Sequence, residues 1–107
     1  MPLMHALDRR AFLEAGPYPQ ALHVGDTQAV MLLCLQAGQE LRAPEGDANA
    51  TTFVVLEGEG RIEEGEVRHA VHTGDVVHVA TGQTKALVAG AGTFTVLGVR
   101  SLTGSPG

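Results

Sequence analysis

Short apolar runs separated by turn residues make up the chain from position 25 onward, with a turn about every nine residues. The runs are rich in Val, Leu, Thr and Phe and occupy residues 28–36, 52–57, 61–63, 66–71, 76–79, 85–89 and 93–100. Most of the turns between them contain glycine. Short strands at this spacing, with no helical period between them, predict an all-β fold, a small antiparallel sandwich or barrel.

Two of the predicted strands, residues 31–35 and 52–56, are apolar on both faces, whereas residues 93–99 alternate as a half-exposed strand does. One side of a barrel strand faces the interior, so the other side of these two strands needs a cover. That cover is either the N-terminal residues 1–24 of the same chain or a second subunit. We expect a homodimer, with cover by residues 1–24 alone as the alternative.

The whole chain, residues 1–107, is long enough to bury one core and is predicted to be a single domain. Its barrel is expected over residues 28–100. Residues 1–24 form an arm in which residues 7–14 are either a short helix, with Asp8 at its start, or an edge strand. Residues 101–107, rich in Gly, Ser and Pro, are predicted to be a flexible tail.

The charge of the chain argues against nucleic acid and membrane partners. The formal net charge is −5, and five acids lie within residues 57–66. Such a surface repels phosphates because it has no basic stripe to release their counterions. We expect these acids to form a solvated hairpin.

Cys34 is the only cysteine, so no intrachain disulfide is possible, and its apolar neighbours predict a buried, inert thiol. Asp8, Arg9 and Arg10 interrupt any apolar stretch near the N-terminus, so no signal peptide is predicted. No segment is apolar over the length of a membrane span. We therefore expect a cytoplasmic protein.

The spacing of four glycines resembles the cupin superfamily, in particular its small single-domain branch. Gly38 and Gly58 frame the first cupin motif, and Gly74, followed by Asp75, and Gly82 frame the second. The resemblance covers about residues 28–100. It implies a double-stranded β-helix, or jelly roll, of the RmlC-like type. Glycine suits the corners of such a barrel because the backbone there adopts positive φ angles.

The same resemblance places the usual metal ligands, three His and one Glu, at positions that hold other residues here. Those positions carry Pro44, Gly46, Thr51 and Lys85. Proline and glycine have no side-chain donor, a threonine hydroxyl ligates poorly, and a lysine cation repels a metal. The resemblance therefore implies a cupin barrel that has lost its metal site, and no cofactor is expected.

Three of the five histidines, His69, His72 and His78, lie in or next to predicted strands. His69 and His72 are three residues apart and so point to opposite faces of one strand. His72 and His78 flank a turn and are cross-strand neighbours if the hairpin register allows it, which with Asp75 would make an alternative metal site. The main interpretation is that they are separate surface or hydrogen-bonded histidines.

If the resemblance holds, Lys85 starts at the inner mouth of the barrel. We expect its charge to reach water at the rim. The alternative is a buried charge that binds an anionic ligand, a carboxylate or a phosphate. The candidate pocket residues are Thr51, Phe53, Lys85 and His78.

No nucleophile–base–acid arrangement is evident in the sequence. The leading hypothesis is a non-enzymatic small-molecule-binding or sensory module that acts as a dimer, with a small anionic molecule as the candidate ligand. One alternative is a metal-dependent enzyme of the dioxygenase or isomerase class that uses His72 and His78 as displaced ligands. The other is a structural or partner-binding barrel.

Overall fold

The computed structural model describes residues 3–43 and 49–102 of the chain. A 3₁₀ helix of four residues (Ala6–Arg9) precedes the strands. Within the described ranges the strands are β1 (Tyr18–Val24), β2 (Gln28–Leu35), β3 (Glu40–Arg42), β4 (Thr51–Glu57), β5 (Glu59–Glu64), β6 (Val67–His72), β7 (Val76–Val79), β8 (Lys85–Ala89) and β9 (Phe94–Ser101). None of the helical residues described forms a segment long and apolar enough to cross a membrane.

The strands form two facing antiparallel sheets. The five-stranded sheet has the order β1-β2-β9-β4-β7, and the four-stranded sheet has the order β3-β8-β5-β6. Because neighbours in each sheet are mostly not consecutive in the chain, the connections cross repeatedly from one sheet to the other. This is a jelly roll, so the predicted fold class is confirmed.

All seven predicted strands are present, with ends that differ by no more than two residues. Two strands, β1 and β3, lie outside the seven predicted runs. β3 has only three residues, and β1 carries Pro19, which limits a strand to the edge of a sheet. A helix over residues 7–14 was one of the two alternatives predicted, and it was wrong. The structure has only the 3₁₀ turn Ala6–Arg9 there.

Alternate side chains of the strands fill the space between the sheets. In β9, Phe94 and Val96 point inward and are fully buried, and they pack with Val55 of β4 and Ile62 of β5. Burial of this aliphatic and aromatic surface is the main driving force for folding. A cavity lies toward the opposite end of the sandwich.

The four glycines of the cupin-like frame all have positive φ angles. The angles are 74° at Gly38, 90° at Gly58, 94° at Gly74 and 88° at Gly82, where a side chain is strained. At Gly58 a Cβ atom would also clash with the main-chain oxygen of Thr93. The turns therefore require glycine, as the sequence indicated.

The N-terminal segment covers part of the outer face of the five-stranded sheet. Leu32 and Cys34 point outward from β2, yet both are 0% exposed in the single chain. Arg10 Nη1 lies 2.6 Å from both carboxylate oxygens of Glu57. Gln39 Nε2 donates to the main-chain oxygen of Leu13 at 2.6 Å. The outer face of β2 thus needs no second subunit, and the homodimer stays a prediction.

Candidate functional site

A cavity of about 270 Å³ lies between the two sheets, at the end away from Phe94. Its apolar walls come from β2 and β4 on one side and from β3 and β8 on the other. The main apolar lining residues are Met31, Leu33, Leu41, Phe53 and Leu87. Inward-facing residues of neighbouring strands lie side by side. Those that lie beyond the core residues on the same strands therefore form the walls of this cavity.

Gly98 makes room for the cavity. It lies at an inward position of β9, opposite Met31 of β2 and Phe53 of β4. A Cβ atom at this position would meet Leu33 Cδ1 at 3.4 Å and Phe53 Cε1 at 3.5 Å, which is ordinary contact. A larger side chain would therefore extend into the space that the cavity occupies.

Polar side chains of Thr51, Lys85 and Arg100 line one part of the cavity. We call these three residues, together with Asn49 behind them, the basic wall. Thr51 and Arg100 are direct partners across β4 and β9. Lys85 belongs to the opposite sheet, and its Nζ donates to the main-chain oxygen of Asn49 at 2.9 Å. Thr51 Oγ1 donates to the same oxygen at 3.5 Å.

The side chain of Asn49 brings Arg100 into the same wall. With the amide oriented to satisfy both groups, the Asn49 side-chain oxygen accepts hydrogen bonds from Arg100 Nη2 at 3.0 Å and Nε at 3.3 Å. Asn49 is therefore the residue on which both cations converge. Lys85 is 6% exposed and Thr51 is 5% exposed, whereas Asn49 and Arg100 are half-buried.

Glu64 of β5 is the register partner of Lys85, but it is engaged elsewhere. Its Oε1 lies 3.1 Å from His69 Nε2, in a pair that is only partly buried. In the antiparallel pairing of β5 with β8, Glu64 and Lys85 lie directly opposite each other. The carboxylate nearest to Lys85 in register is thus held by a histidine.

Arg42 is among the residues that line the cavity, and it is also exposed at the surface. Its side chain is 59% exposed, and its guanidinium contacts Glu40 and lies 3.3 Å from Glu63 Oε1. The hydrogen bond and charge of Glu40 raise the pKa of Arg42, with a smaller contribution from Glu63 and against the opposing effect of burial. Arg42 therefore belongs to a surface ion-pair network with Glu40 and Glu63.

Glu63 corrects the prediction that the acidic hairpin is only solvated. The residue is 7% exposed, and its Oε2 lies 3.1 Å from Arg61 Nη2. Burial alone would raise the pKa of Glu63, but the hydrogen bonds and charges of Arg61 and Arg42 outweigh it and lower that pKa. Glu57 is also paired, with Arg10.

The structure brings together three of the four predicted pocket residues. Thr51, Phe53 and Lys85 line the cavity. His78 does not, because it points outward from β7 and its Nδ1 shares a hydrogen bond of 2.9 Å with Thr52 Oγ1. The expectation that Lys85 reaches water at the rim was wrong, since its side chain is buried. Pro44 and Gly46 lie outside the described residues.

The alternative metal site is not assembled as predicted. His72 belongs to the four-stranded sheet and His78 to the five-stranded sheet, so they are not cross-strand neighbours. His72 Nδ1 instead lies 3.0 Å from Asp75 Oδ2. Residues 3–43 and 49–102 contain no group of three His, Cys, Asp or Glu side chains placed to hold a metal ion.

The described residues of the cavity do not suit the transition metal of a metal-bearing cupin. Such an ion needs imidazole, thiolate or carboxylate donors at about 2 Å. The basic wall supplies a hydroxyl and two cations, Lys85 and Arg100. Positive side chains repel a metal cation, so these described residues are poor ligands for one.

Sequence reasoning missed Asn49, Gly98 and Arg100 as residues of this site. A signal for the last two was present. Once Phe94 and Val96 are taken as inward residues of β9, strict alternation places Gly98 and Arg100 on the same face. For Asn49 there was no such signal, because it precedes β4 and no periodicity assigns it a direction.

Known structures superpose on almost the whole chain. A protein from Thermus thermophilus shares 16% identity, is covered over 97% of its length, covers 94% of this chain and has a TM-score of 0.88. An RmlC-like cupin protein from Desulfovibrio desulfuricans shares 21% identity over 94% of this chain and 96% of its own, with a TM-score of 0.83. The chain has the cupin fold.

A third protein with this cupin fold, from Klebsiella pneumoniae, is described as having a double-stranded β-helix domain. It shares 17% identity over 100% of this chain and 94% of its own, with a TM-score of 0.85. No protein-family model matches the sequence, and no curated protein matches it either. At these identities the cupin fold establishes architecture alone, so function has to be argued from the side chains of the cavity.

Proposed function

We propose that this cupin-fold protein is a non-enzymatic module that binds a small molecule between its sheets. The observation that carries the proposal is the cavity itself, with apolar walls on most sides and one basic wall. Ligand sites are typically concave and mostly apolar, with a few polar groups that fix the orientation of the ligand. Leu33, Phe53 and Leu87 would contact its body, and the basic wall would contact its polar end.

The size of the cavity limits the ligand. Its 270 Å³ is less than twice the ~150 Å³ of an engineered apolar cavity that binds benzene. A ligand of about ten non-hydrogen atoms therefore fits, and a nucleotide or an oligosaccharide does not. This supports a compact metabolite as the natural ligand.

The chemistry of the lining supports binding without catalysis. Of the described residues that line the cavity, none is His, Cys, Asp or Glu. General acid–base catalysis uses such groups within hydrogen-bond reach of the substrate. The side chains of Thr51, Lys85 and Arg100 can orient a bound group through hydrogen bonds.

The proposal is tested on protein purified without an affinity tag. Elemental analysis is expected to find no stoichiometric transition metal, and ¹⁵N-labelled protein titrated with benzoate and benzamide is expected to show shifts at Phe53 and Gly98. One equivalent of tightly bound metal would favour the enzyme alternative. Absence of any shift in the cavity with either probe would favour a structural or partner-binding barrel.

We further propose that the module is a homodimer through the outer faces of β4 and β7. Val54 and Val76 are register partners on that face, and Val76 is 61% exposed. Val54 is half-buried, and an apolar patch left exposed on a sheet face favours association. Sedimentation of the wild type and of Val76→Lys tests this, since a dimer that uses this face should dissociate in the variant. A wild-type monomer would refute it.

A further inference from the structure

We propose that the ligand is an uncharged molecule built on one aromatic ring, and that this ring lies over Gly98 between Met31 and Phe53. This inference rests on the proposed function and names the class of ligand. It also assigns Phe53 as the residue that favours an aromatic ring over a saturated ring of the same size.

The charged side chains of the cavity already have partners within the chain. Lys85 Nζ donates to the main-chain oxygen of Asn49, and the guanidinium of Arg100 donates to the Asn49 side-chain oxygen. Both cations have further interactions within the chain as well. Arg42 is held by two carboxylates. An anionic ligand would therefore have to compete with contacts that the folded chain already makes.

A cationic ligand is no better served by the cavity. Along the described part of the lining, no residue is Asp or Glu. Removing a charged group from water is costly unless an opposite charge or good hydrogen bonds offset the loss of hydration. A neutral ligand avoids this cost, so the lining favours an uncharged molecule over an ion of either sign.

Met31, Gly98 and Phe53 lie side by side on one sheet. Gly98 of β9 is the register partner of Met31 of β2 on one side and of Phe53 of β4 on the other. A Cβ atom at Gly98 would lie 3.5 Å from Phe53 Cε1 and 3.6 Å from Phe53 Cδ1, so a ring over Gly98 reaches the ring of Phe53. Contacts of an aromatic ring with another ring or with a thioether are favourable beyond the area that they bury. These three positions therefore favour an aromatic ring over a saturated one.

The other sheet supplies an aliphatic surface to the same cavity. Leu41 of β3 and Leu87 of β8 are register partners, and both line the cavity. Met31 and Leu41 pack against the core, yet each is only half-buried. Apolar side chains that line a cavity become further removed from water when a ligand fills it, which stabilises the complex. A single neutral polar group on the ring would lie toward the basic wall.

The test compares three molecules of nearly the same shape and different charge. Benzamide is neutral, benzoate is an anion and benzamidinium is a cation. Cyclohexanecarboxamide keeps the neutral amide and replaces the aromatic ring by a saturated one. Because the chain has three methionines, protein grown with ε-¹³C-methionine gives three methyl resonances, and Met31→Leu assigns that of Met31. Affinities come from the same titrations.

Benzamide is expected to bind about tenfold more tightly than either ion, because it has no charge to remove from water. It should bind about threefold more tightly than cyclohexanecarboxamide and give the Met31 methyl group a ring-current shift, which the saturated amide cannot produce. In Phe53→Leu the preference for benzamide over the saturated amide should disappear. Phe12→Leu, at a position that does not line the cavity, is the control and should retain it. If Phe53→Leu does not fold, the wild-type affinities and the Met31 resonance still decide.

Other outcomes overturn the inference in separable ways. Binding of benzoate or benzamidinium as tight as that of benzamide would refute the uncharged class but leave the proposed binding module intact. Equal affinities of the two amides for the wild type would refute the aromatic ring. Shifts at Phe53 and Gly98 without a shift of the Met31 methyl group would refute the position of the ring. If no probe perturbs Met31, Phe53 or Gly98, the inference and the proposed function fall together.

Discussion

Gly98 of β9 lies directly opposite Phe53 of β4, and the missing side chain at Gly98 leaves the space that becomes the cavity. The backbone at Gly98 does not need the left-handed region, so glycine is not required there by the turn chemistry that applies elsewhere in the chain. Its role is to provide volume.

Gly98→Leu is therefore expected to fill the cavity and abolish binding of benzoate. The usual cost of overpacking, about 1–3 kcal/mol, should be small here because the side chain enters space that is already present. Thermal unfolding and a benzoate titration measure the two effects. Gly98→Ala, whose Cβ makes only ordinary contacts, is the control and should retain binding. Wild-type binding by Gly98→Leu would mean that the ligand binds elsewhere.

A pair of glycine substitutions separates backbone strain from steric clash. Gly58 and Gly74 have nearly the same φ angles, 90° and 94°, but a Cβ at Gly58 meets the Thr93 oxygen, whereas a Cβ at Gly74 has nothing within 4 Å. Gly74→Ala should cost about 1–2 kcal/mol for its positive φ. Gly58→Ala should cost at least about 2 kcal/mol more. Equal free energies of unfolding in urea for the two variants would show that the loop at Thr93 moves to accommodate the added Cβ atom at little cost.

Glu63 should make stability depend on pH in the acid range. Its pKa is lowered in the folded state, so its ion pairs stabilise the fold above the ordinary carboxyl value of 4.5, and this contribution is lost as the pH falls through the lower folded-state pKa. The stability difference between the wild type and Glu63→Gln should therefore be largest near neutral pH and vanish in acid.

Denaturant unfolding between pH 7 and pH 3 measures this difference for Glu63. Glu66→Gln, an exposed acid in the neighbouring turn, is the matched control and should show a smaller dependence. A difference for Glu63→Gln that stays constant with pH would indicate that packing, rather than charge, explains its effect.

The contact of Arg10 with Glu57 should hold the N-terminal segment over the outer face of the sheet. Cys34 is buried on that face and reports its opening. Arg10→Ala removes a partly exposed ion pair, worth at most about 1 kcal/mol, so the thiol should react about fivefold faster with a disulfide reagent. Arg9→Ala, in the same segment, is the control. Equal rates for both variants would mean that other contacts hold the segment.

The local features of this fold were readable in the sequence. The strand positions followed from apolar runs between glycine turns, and the positive φ angles at Gly38, Gly58, Gly74 and Gly82 agree with the spacing that suggested a cupin. These features depend on steric limits between residues that are close together in the chain, so they can be predicted from short stretches of sequence. The two strands outside the predicted apolar runs, β1 and β3, lack strong local signals.

Of the candidate site, the sequence indicated Thr51, Phe53 and Lys85, because the resemblance assigned Thr51 and Lys85 to barrel positions. It did not reveal Arg100 or Asn49, and it placed His78 wrongly. His72 and His78 are close in sequence, but the chain passes from one sheet to the other between them. A hairpin register cannot be assumed across such a crossover.

The amino-acid order alone thus settled where strands and turns lie and which residues are apolar, since these are short-range preferences of backbone and side chain. The pairing of β4 with β9 and the facing of β8 across the cavity arise from contacts between residues far apart in the chain. Only those contacts bring Lys85 and Arg100 to the same asparagine and bury a charge that local sequence rules place in water.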